Sequence, residues 1–413
     1  MWVHMESQAY NGELDHSAKY YPIITRKDAQ SIFCVQASLE KKIDIANLQE
    51  ALSKTLKFYP TFSVALTRGY SWHKFKHNDR DLPISNFNEN IMVPIKDVEN
   101  NRHQMRVSIK DNVLRLEIFH GVTDANIGFE FLSCLIKTYN AIQKGEGFSS
   151  EIYDQPEDYE NSFRVHAKKE KSNMKLTSLL EKDVAVIKGD LIEELGAKQH
   201  IENFSVSDLL PLAKKRQVSL SALIIGILVK ASFEFAERDK KVVIMVPVDL
   251  RRVFNSISKR NFVSFVRLRY FDRTLDLESL IKQTNKMLKE QVNKEYFEEF
   301  MSLTDKATRG IVSYLPLWFK EMVIKPIVKR AKTKHTIIFS NIGKLADIEG
   351  VKNYTLNLNI SKNNPINFGM VTVNGVISIG ATSKIKNIEV IKYVFDTINK
   401  MIKEDKNEQN NVK

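Results

Sequence analysis

Apolar residues recur along this chain with two periods in turn, and the order of those periods is the strongest constraint on its fold. Gln30–Leu39 alternates as a half-buried strand does, with Ile32, Cys34, Gln36 and Ser38 on one face and Phe33, Val35, Ala37 and Leu39 on the other. Asp44 then offers an N-cap, Ile45, Leu48, Leu52 and Leu56 follow at helical spacing, and Pro60 stops the helix. Phe62–Leu66 and Tyr70–Phe75 read as short strands around Arg68-Gly69, and Lys76–Asn90 has no clear period. Met105–Ile109 and Val113–Phe119 flank Asp111-Asn112 as a hairpin. Asn126–Ile142 is helical, with Ile127, Phe131, Leu135 and Tyr139 on one face.

The later part repeats the mixture. Leu220–Phe235, Leu275–Val292, Leu317–Val328 and Ile388–Ile402 read as helices, and Val242–Val248, Thr336–Phe339 and Tyr354–Ile360 as strands. Phe368–Ser378 is a hairpin turning at Asn374-Gly375. Glu404–Lys413 reads as a polar, frayed tail. No regular strand–helix–strand series appears, which disfavours a doubly wound dinucleotide fold and favours a mixed α/β chain with partly antiparallel sheets.

At 413 residues the chain exceeds the roughly 250–300 that one core sustains. Two domains are expected, at 1–150 and 180–413. A crossover joins them at 151–179, where the sequence is polar and poorly periodic. A weak echo links Val107–Leu116 to Val371–Ile379 and fits halves of similar fold.

The balance of 62 Lys+Arg against 50 Asp+Glu gives +12. That favours anionic partners such as a phosphorylated cofactor, a membrane surface or nucleic acid. Nucleic acid is disfavoured, because no basic helix carries interleaved aromatics and no finger or RNA-binding signature occurs. Leu317, Trp318, Met322, Ile324, Ile327 and Val328 lie among Lys320, Lys325, Lys329 and Arg330. Such a helix either lies on an anionic membrane or packs one face into the core. Two cysteines, Cys34 and Cys134, exclude a disulfide scaffold and suit a cytoplasmic protein. The polar opening Met1–His16 does not read as a signal peptide, and the run Leu220–Val229 falls short of the ~20 residues of a membrane span.

Among nine histidines, two have Asp four residues on: His77 with Asp81 and His120 with Asp124. Chance supplies about half a match of that kind, so context must separate them. His77 lies in a charged, turn-rich stretch ending at Pro83 and reads as a solvated loop residue. His120 ends an alternating strand and is followed by Gly121 and a helix, which presents its ring at the end of a sheet. Residue types alone also allow a strand-end His and an Asp124 that only caps the helix. Asp249 and Arg251 read as an ion pair or cap at a strand end. No His/Cys/Asp cluster has metal-ligand spacing, and neither a Gly-rich phosphate loop nor a Gly-x-Ser-x-Gly nucleophile setting occurs.

Phe119-His120-Gly121-Val122-Thr123-Asp124-Ala125 resembles the His-x-x-x-Asp-Gly motif of the CoA-dependent acyltransferase superfamily. That superfamily includes chloramphenicol acetyltransferase, the BAHD enzymes, condensation domains and alcohol acetyltransferases. Val246-Pro247-Val248-Asp249-Leu250-Arg251 is similar to its Pro-Val-Asn/Asp-Leu-Arg segment, and Arg260-Asn261-Phe262 follows as in the alcohol acetyltransferase-like branch. Ser340-Asn341-Ile342-Gly343 is similar to the late Ser-Asn-x-Gly segment, and Leu14-Asp15-His16-Ser17-Ala18 to that branch's opening.

The resemblance implies two similar chloramphenicol-acetyltransferase-like domains with mixed sheets forming a pseudo-dimer. His120 would be general base at their interface, in a tunnel open at two ends. Asp124 would shape the loop by pairing with an arginine, for which Arg267, Arg269 and Arg251 are candidates, and Gly121 would belong to that loop. Ser340, Asn341 and Gly343 would form a tunnel or oxyanion region. The reaction implied is acyl transfer from a thioester to a hydroxyl or amine. Acyl-CoA would be co-substrate, with no metal and no permanently bound cofactor. The acceptor would be a small alcohol or amine, a lipid-like one included. An acyl carrier protein is the alternative donor, and a binding protein without turnover the alternative to an enzyme. Two departures stand out. Ala125 replaces the usual Gly, which strains any left-handed backbone there. Phe119 stands where condensation domains carry a further His.

Overall fold

The computed structural model describes residues 12–15, 18–26, 30–146, 161–167, 181–308, 311–330 and 335–411. In the first half β1 (Gly12–Glu13), α1 (Tyr21–Ile24), β2 (Ile32–Leu39), α2 (Ile45–Phe58), β3 (Val64–Arg68) and β4 (His73–His77) come first. β5 (Ile84–Asn86), β6 (Met105–Lys110), β7 (Val113–Phe119) and α3 (Ala125–Gln143) follow. Asp44 caps α2 as expected, its Oδ1 accepting from the Asn47 N–H at 2.8 Å. The alternation in β2 sends Phe33, Val35, Ala37 and Leu39 into a core with Leu48 and Leu52 of α2 and Phe131, Leu132 and Leu135 of α3. Pro60–Phe62 is a 3-10 turn, so the strands expected at Phe62–Leu66 and Tyr70–Phe75 form two and three residues later, at Val64–Arg68 and His73–His77. They pair from Val64↔His77 to Arg68↔His73, and β1 adds to β4.

α4 (Ser162–Val165) is the described part of the expected crossover, most of which lies outside the described residues. Its Phe163 packs edge-on to Phe262 in the second core, at 5.2 Å between ring centroids.

The second half runs β8 (Lys198–Ser205), α5 (Val206–Lys215), α6 (Leu220–Phe235), β9 (Val242–Asp249), α7 (Leu250–Phe254), β10 (Val263–Tyr270), α8 (Leu277–Gln291), α9 (Lys294–Thr308) and α10 (Ile311–Tyr314). It continues with α11 (Leu317–Arg330), β11 (Ile337–Lys344), β12 (Val351–Asn357), β13 (Ile366–Val373), β14 (Val376–Ser383) and α12 (Glu389–Asn411). Periodicity leaves β8, α5, β10 and α9 unassigned. β8 is an edge strand whose side chains are largely half-buried or exposed, which blurs its alternation. α12 runs on to Asn411 where a frayed tail is expected from Glu404. Lys215 bridges Asp405 and Glu408, and Lys406 meets Asp208 at 2.8 Å, so α5 holds the polar end of the helix.

Two sheets result. The six-stranded sheet has the order β10-β9-β11-β13-β14-β8 and is mixed: β11 runs parallel to β9 and β13, the other pairs antiparallel. The five-stranded sheet has the order β12-β2-β7-β6-β5, with β5 parallel to β6. The echoed hairpins, β6–β7 and β13–β14, lie in different sheets. β12 comes from the second half yet pairs with β2 of the first, from Val351↔Leu39 to Asn357↔Cys34. Tyr354 and Leu356 thereby enter the first core, as do Val371 and Val373 of β13. The second core gathers around α6, with Ile224 and Leu228 against Val242, Leu268, Phe339 and Phe368. α6 is thus a buried core helix, and no single helix among the described residues is long and apolar enough to cross a membrane.

Candidate active site

β7 ends at Phe119, and His120 takes the next position at the end of the sheet. Its backbone N–H donates to the Ser31 carbonyl at 2.8 Å. The half-buried ring stacks on Tyr21 of α1 at 5.0 Å and 15°, and meets the edge of Phe33 at 5.1 Å. From the second half, Asn261 Nδ2 donates to the His120 carbonyl at 3.1 Å and lies 3.2 Å from Nδ1. Asn261 Oδ1 is buried without a hydrogen-bond partner. His120 therefore sits where the two halves meet. Burial pushes its pKa below the ordinary 6.5, and Asp124 and the carbonyls of His120 and Thr123 oppose that only in part. The imidazole is neutral at pH 7, which a proton acceptor requires.

Asp124 does not face the ring as a partner in catalysis; its carboxylate ties the two halves together. Oδ1 caps α3 by accepting from the Asn126 N–H at 3.1 Å. Oδ2 accepts from Arg251 Nη2 at 2.8 Å and from the Phe262 N–H at 3.0 Å. Arg251 also bonds Asp249 Oδ1 at 3.0 Å, the Ser258 carbonyl at 2.6 Å and the Arg260 carbonyl. Burial works against the Arg251 charge, but Asp124 and Asp249 outweigh it and hold the guanidinium above its ordinary pKa. Asp249 itself is pushed up by burial and by Asp124.

Arg251 is thus the arginine of the loop, and Arg267 and Arg269 are not. They lie five and seven residues beyond Phe262 on β10, about 17 and 24 Å of extended chain. Arg269 Nε donates to Glu181 at 2.9 Å, and the buried Arg267 guanidinium lies 4.7 Å over the Phe265 ring. Gly121 fits the loop role: a Cβ there would stand 2.4 Å from Cε1 of Phe119. Ala125 is the first residue of α3, with no positive φ, so the strain expected from the missing Gly does not arise.

The segment 255–262 of the second half closes over this loop. Lys259 Nζ meets both Glu130 oxygens at 2.8 and 2.9 Å, and its carbonyl accepts from Thr123 Oγ1 at 2.8 Å. Arg260 Nε lies 3.6 Å from Asp15 Oδ2. Asp15 caps its own turn by accepting from the Ala18 N–H at 3.0 Å; His16 and Ser17 of that opening motif lie outside the described residues.

Ser340, Asn341 and Gly343 belong to β11. The strand bulges between Asn341 and Lys344, and Gly343 takes φ +90°. Asn341 Oδ1 accepts from the Gly343 N–H at 2.8 Å and its Nδ2 donates to Ser221 at 2.9 Å. Ile338 and Ile342, on the same face as Ser340, pack with the first core. His77 is not a solvated loop residue: it ends β4, mostly buried, and its Nε2 lies 2.8 Å from Asp79 rather than Asp81. Both cysteines are buried, and Cys134 Sγ lies 3.1 Å from the Tyr59 hydroxyl. Among the described residues no group of three or more His, Cys, Asp or Glu could hold a metal ion.

Asn261 lies within Arg260-Asn261-Phe262, so the sequence marks its position but not its role. Nothing in the sequence marks Tyr21, since stacking on His120 depends on how α1 docks.

No protein-family model and no curated protein matches this sequence. Solved structures do. Polyketide synthase associated protein 5 from Mycobacterium tuberculosis superposes with TM-score 0.66 at 13% identity, over 95% of this chain and 98% of that one. Fusarium graminearum TRI101, crystallised with coenzyme A and T-2 mycotoxin, gives 0.62 at 11% over 94% and 97%. The starter condensation domain of rhizomide synthetase, crystallised with C8-CoA and Leu-SNAC, gives 0.61 at 10% over 97% and 96%. The similarity runs over nearly the whole of each chain, and this chain shares the mixed α/β fold of these structures.

Proposed function

We propose that this chain is an acyltransferase that moves an acyl group from a thioester, acyl-CoA, to a hydroxyl or amine, with His120 as general base. The observation that carries this reading is a neutral imidazole held at the junction of the two halves by Asn261, with Tyr21 and Phe33 around the ring. In the proposed step the unprotonated ring nitrogen of His120 takes the proton of the acceptor as its oxygen or nitrogen attacks the thioester carbonyl. The tetrahedral oxyanion needs donors already in place. The β11 bulge is proposed as that region, with the Ser340 hydroxyl as donor, because the Asn341 amide and the Gly343 N–H are committed to each other and to Ser221. The proton then passes to the leaving thiolate, which departs as free thiol.

A carrier-protein donor is the second reading, supported by likeness to a condensation domain and opposed by Phe119 in place of a further His. A binding protein without turnover loses its motive, since Ala125 sits comfortably in α3. The test is thiol release from a panel of acyl-CoAs, with and without alcohol and amine acceptors, and from acylated carrier protein. Acceptor-dependent release from acyl-CoA supports the proposal. Release from carrier protein alone moves the donor, and binding without release overturns the enzyme reading.

A further inference from the structure

Large apolar side chains stand in water at several places on this molecule, and five of them lie on the turn after β3 and on α10 and α11. Tyr70, between β3 and β4, is 73% exposed, and Tyr314, Trp318 and Met322 of α10 and α11 are 80%, 62% and 57% exposed. Val323 adds to them. The Leu317 N–H donates to the Tyr70 carbonyl at 2.7 Å, which sets that turn against the start of α11.

α11 is anchored by its other side. Leu317 packs with Trp72 and Ile23, and Ile324 lies against them. Lys320 Nζ donates to the Ser71 carbonyl at 2.8 Å and lies 3.9 Å over the Trp72 ring. With that side satisfied, a surface helix should turn polar residues to water. α11 instead turns out Trp318 and Met322, one helical turn apart, with Lys325 beyond them.

The charge around the patch is basic. Arg68, Lys74 and Lys325 are exposed, and the Glu321 carboxylate is shared between Arg68 at 2.8 Å and Lys325 at 3.8 Å. Trp and Tyr with one apolar end and one wet end, flanked by Lys and Arg, fit the boundary between headgroups and acyl chains.

We propose that Tyr70, Tyr314, Trp318 and Met322, with their basic rim, form a surface that docks on an anionic lipid bilayer. The surface is one short helix from the candidate base: Ile23 of α1 packs under α11, and Tyr21 of the same helix stacks on His120. A lipid-like acceptor could thus pass from the bilayer to the site. That last clause rests on the acyltransferase reading; the docking does not.

The test is flotation of the full chain with vesicles of phosphatidylcholine alone, or of phosphatidylcholine with phosphatidylserine, at low and high salt. We expect flotation with the phosphatidylserine vesicles, weakened at high salt. Trp318→Ala with Met322→Ala should cut it by roughly 10-fold or more, and Lys325→Glu should weaken it at low salt. These side chains are exposed, so circular dichroism should show an unchanged fold. His120→Ala should float as the wild type does, which separates docking from turnover. Failure to float with either vesicle, or equal flotation of the double variant, overturns the proposal. So does a concentration-dependent dimer that the double variant abolishes without any flotation, which would make a second copy the occupant.

Discussion

Asp124 and Arg251, 127 positions apart, meet at 2.8 Å and join the two halves through one buried carboxylate. The same carboxylate caps α3 and takes the Phe262 N–H, so a single side chain fixes the loop that carries His120. Asp124→Asn should therefore act on stability. It leaves Arg251 half-compensated in a buried site and should cost roughly 3–5 kcal/mol. Denaturant unfolding of the two proteins checks this, and an unchanged midpoint would show that the bridge does not hold the loop.

His120→Ala should do the reverse. Loss of a general base lowers turnover by on the order of 10²–10⁴ with little change in melting temperature. His77→Ala is the internal control, because His77 bonds Asp79 and has the same Asp spacing without the setting of His120. Steady-state rates on any acyl-CoA and acceptor that the wild type turns over will decide between them.

The pH dependence has a definite sign. Burial lowers the His120 pKa below 6.5, so the neutral form persists to lower pH than a free imidazole would allow. The kcat/KM profile should have its acid limb below pH 6.5, with the rate falling as pH drops through the lowered pKa. Asn261→Asp sets a carboxylate near Nδ1 and should move the acid limb to higher pH. A limb above 6.5 in the wild type would contradict the buried, neutral ring.

Asn261 acts through His120. Asn261→Leu removes the donor to the His120 carbonyl and should lower kcat by on the order of 10²-fold, as small misplacements of a reacting group do, with KM little changed. A KM effect alone would assign Asn261 to substrate binding.

Gly121→Ala places a methyl group 2.4 Å from the Phe119 ring, which is buried in the first core. Relief needs Phe119 to shift against that core, at a cost of about 1–3 kcal/mol. Thermal melts should show it before any rate does.

Local rules made much of this legible in the sequence. The alternation of β2, the Asp44 cap, the β6–β7 hairpin and the Asn374-Gly375 turn each depend on residues a few positions apart, and each formed where expected. His120 was readable for the same reason: a strand, a glycine and a capped helix are neighbours in sequence. Even the errors were local in scale, as with β3 and β4, which form two and three residues later than their apolar runs suggest.

Which distant segments meet was decided only in the tertiary structure. The sequence offers Arg267, Arg269 and Arg251 as partners for Asp124, and Arg251 takes the place because α7 begins beside the loop while β10 carries Arg267 and Arg269 away along an extended strand. β12 joins the first sheet because its exposed backbone groups and its Tyr354 and Leu356 side chains find partners on β2 and in the first core, and its own sequence names neither. Tyr21 and Asn261 reach His120 from opposite directions in the chain by the same kind of docking. Sequence fixes what a residue can do within a turn or a strand, through sterics, capping and period. Long-range pairing is chosen by the joint burial of many side chains and the satisfaction of their polar groups, which belongs to the folded whole.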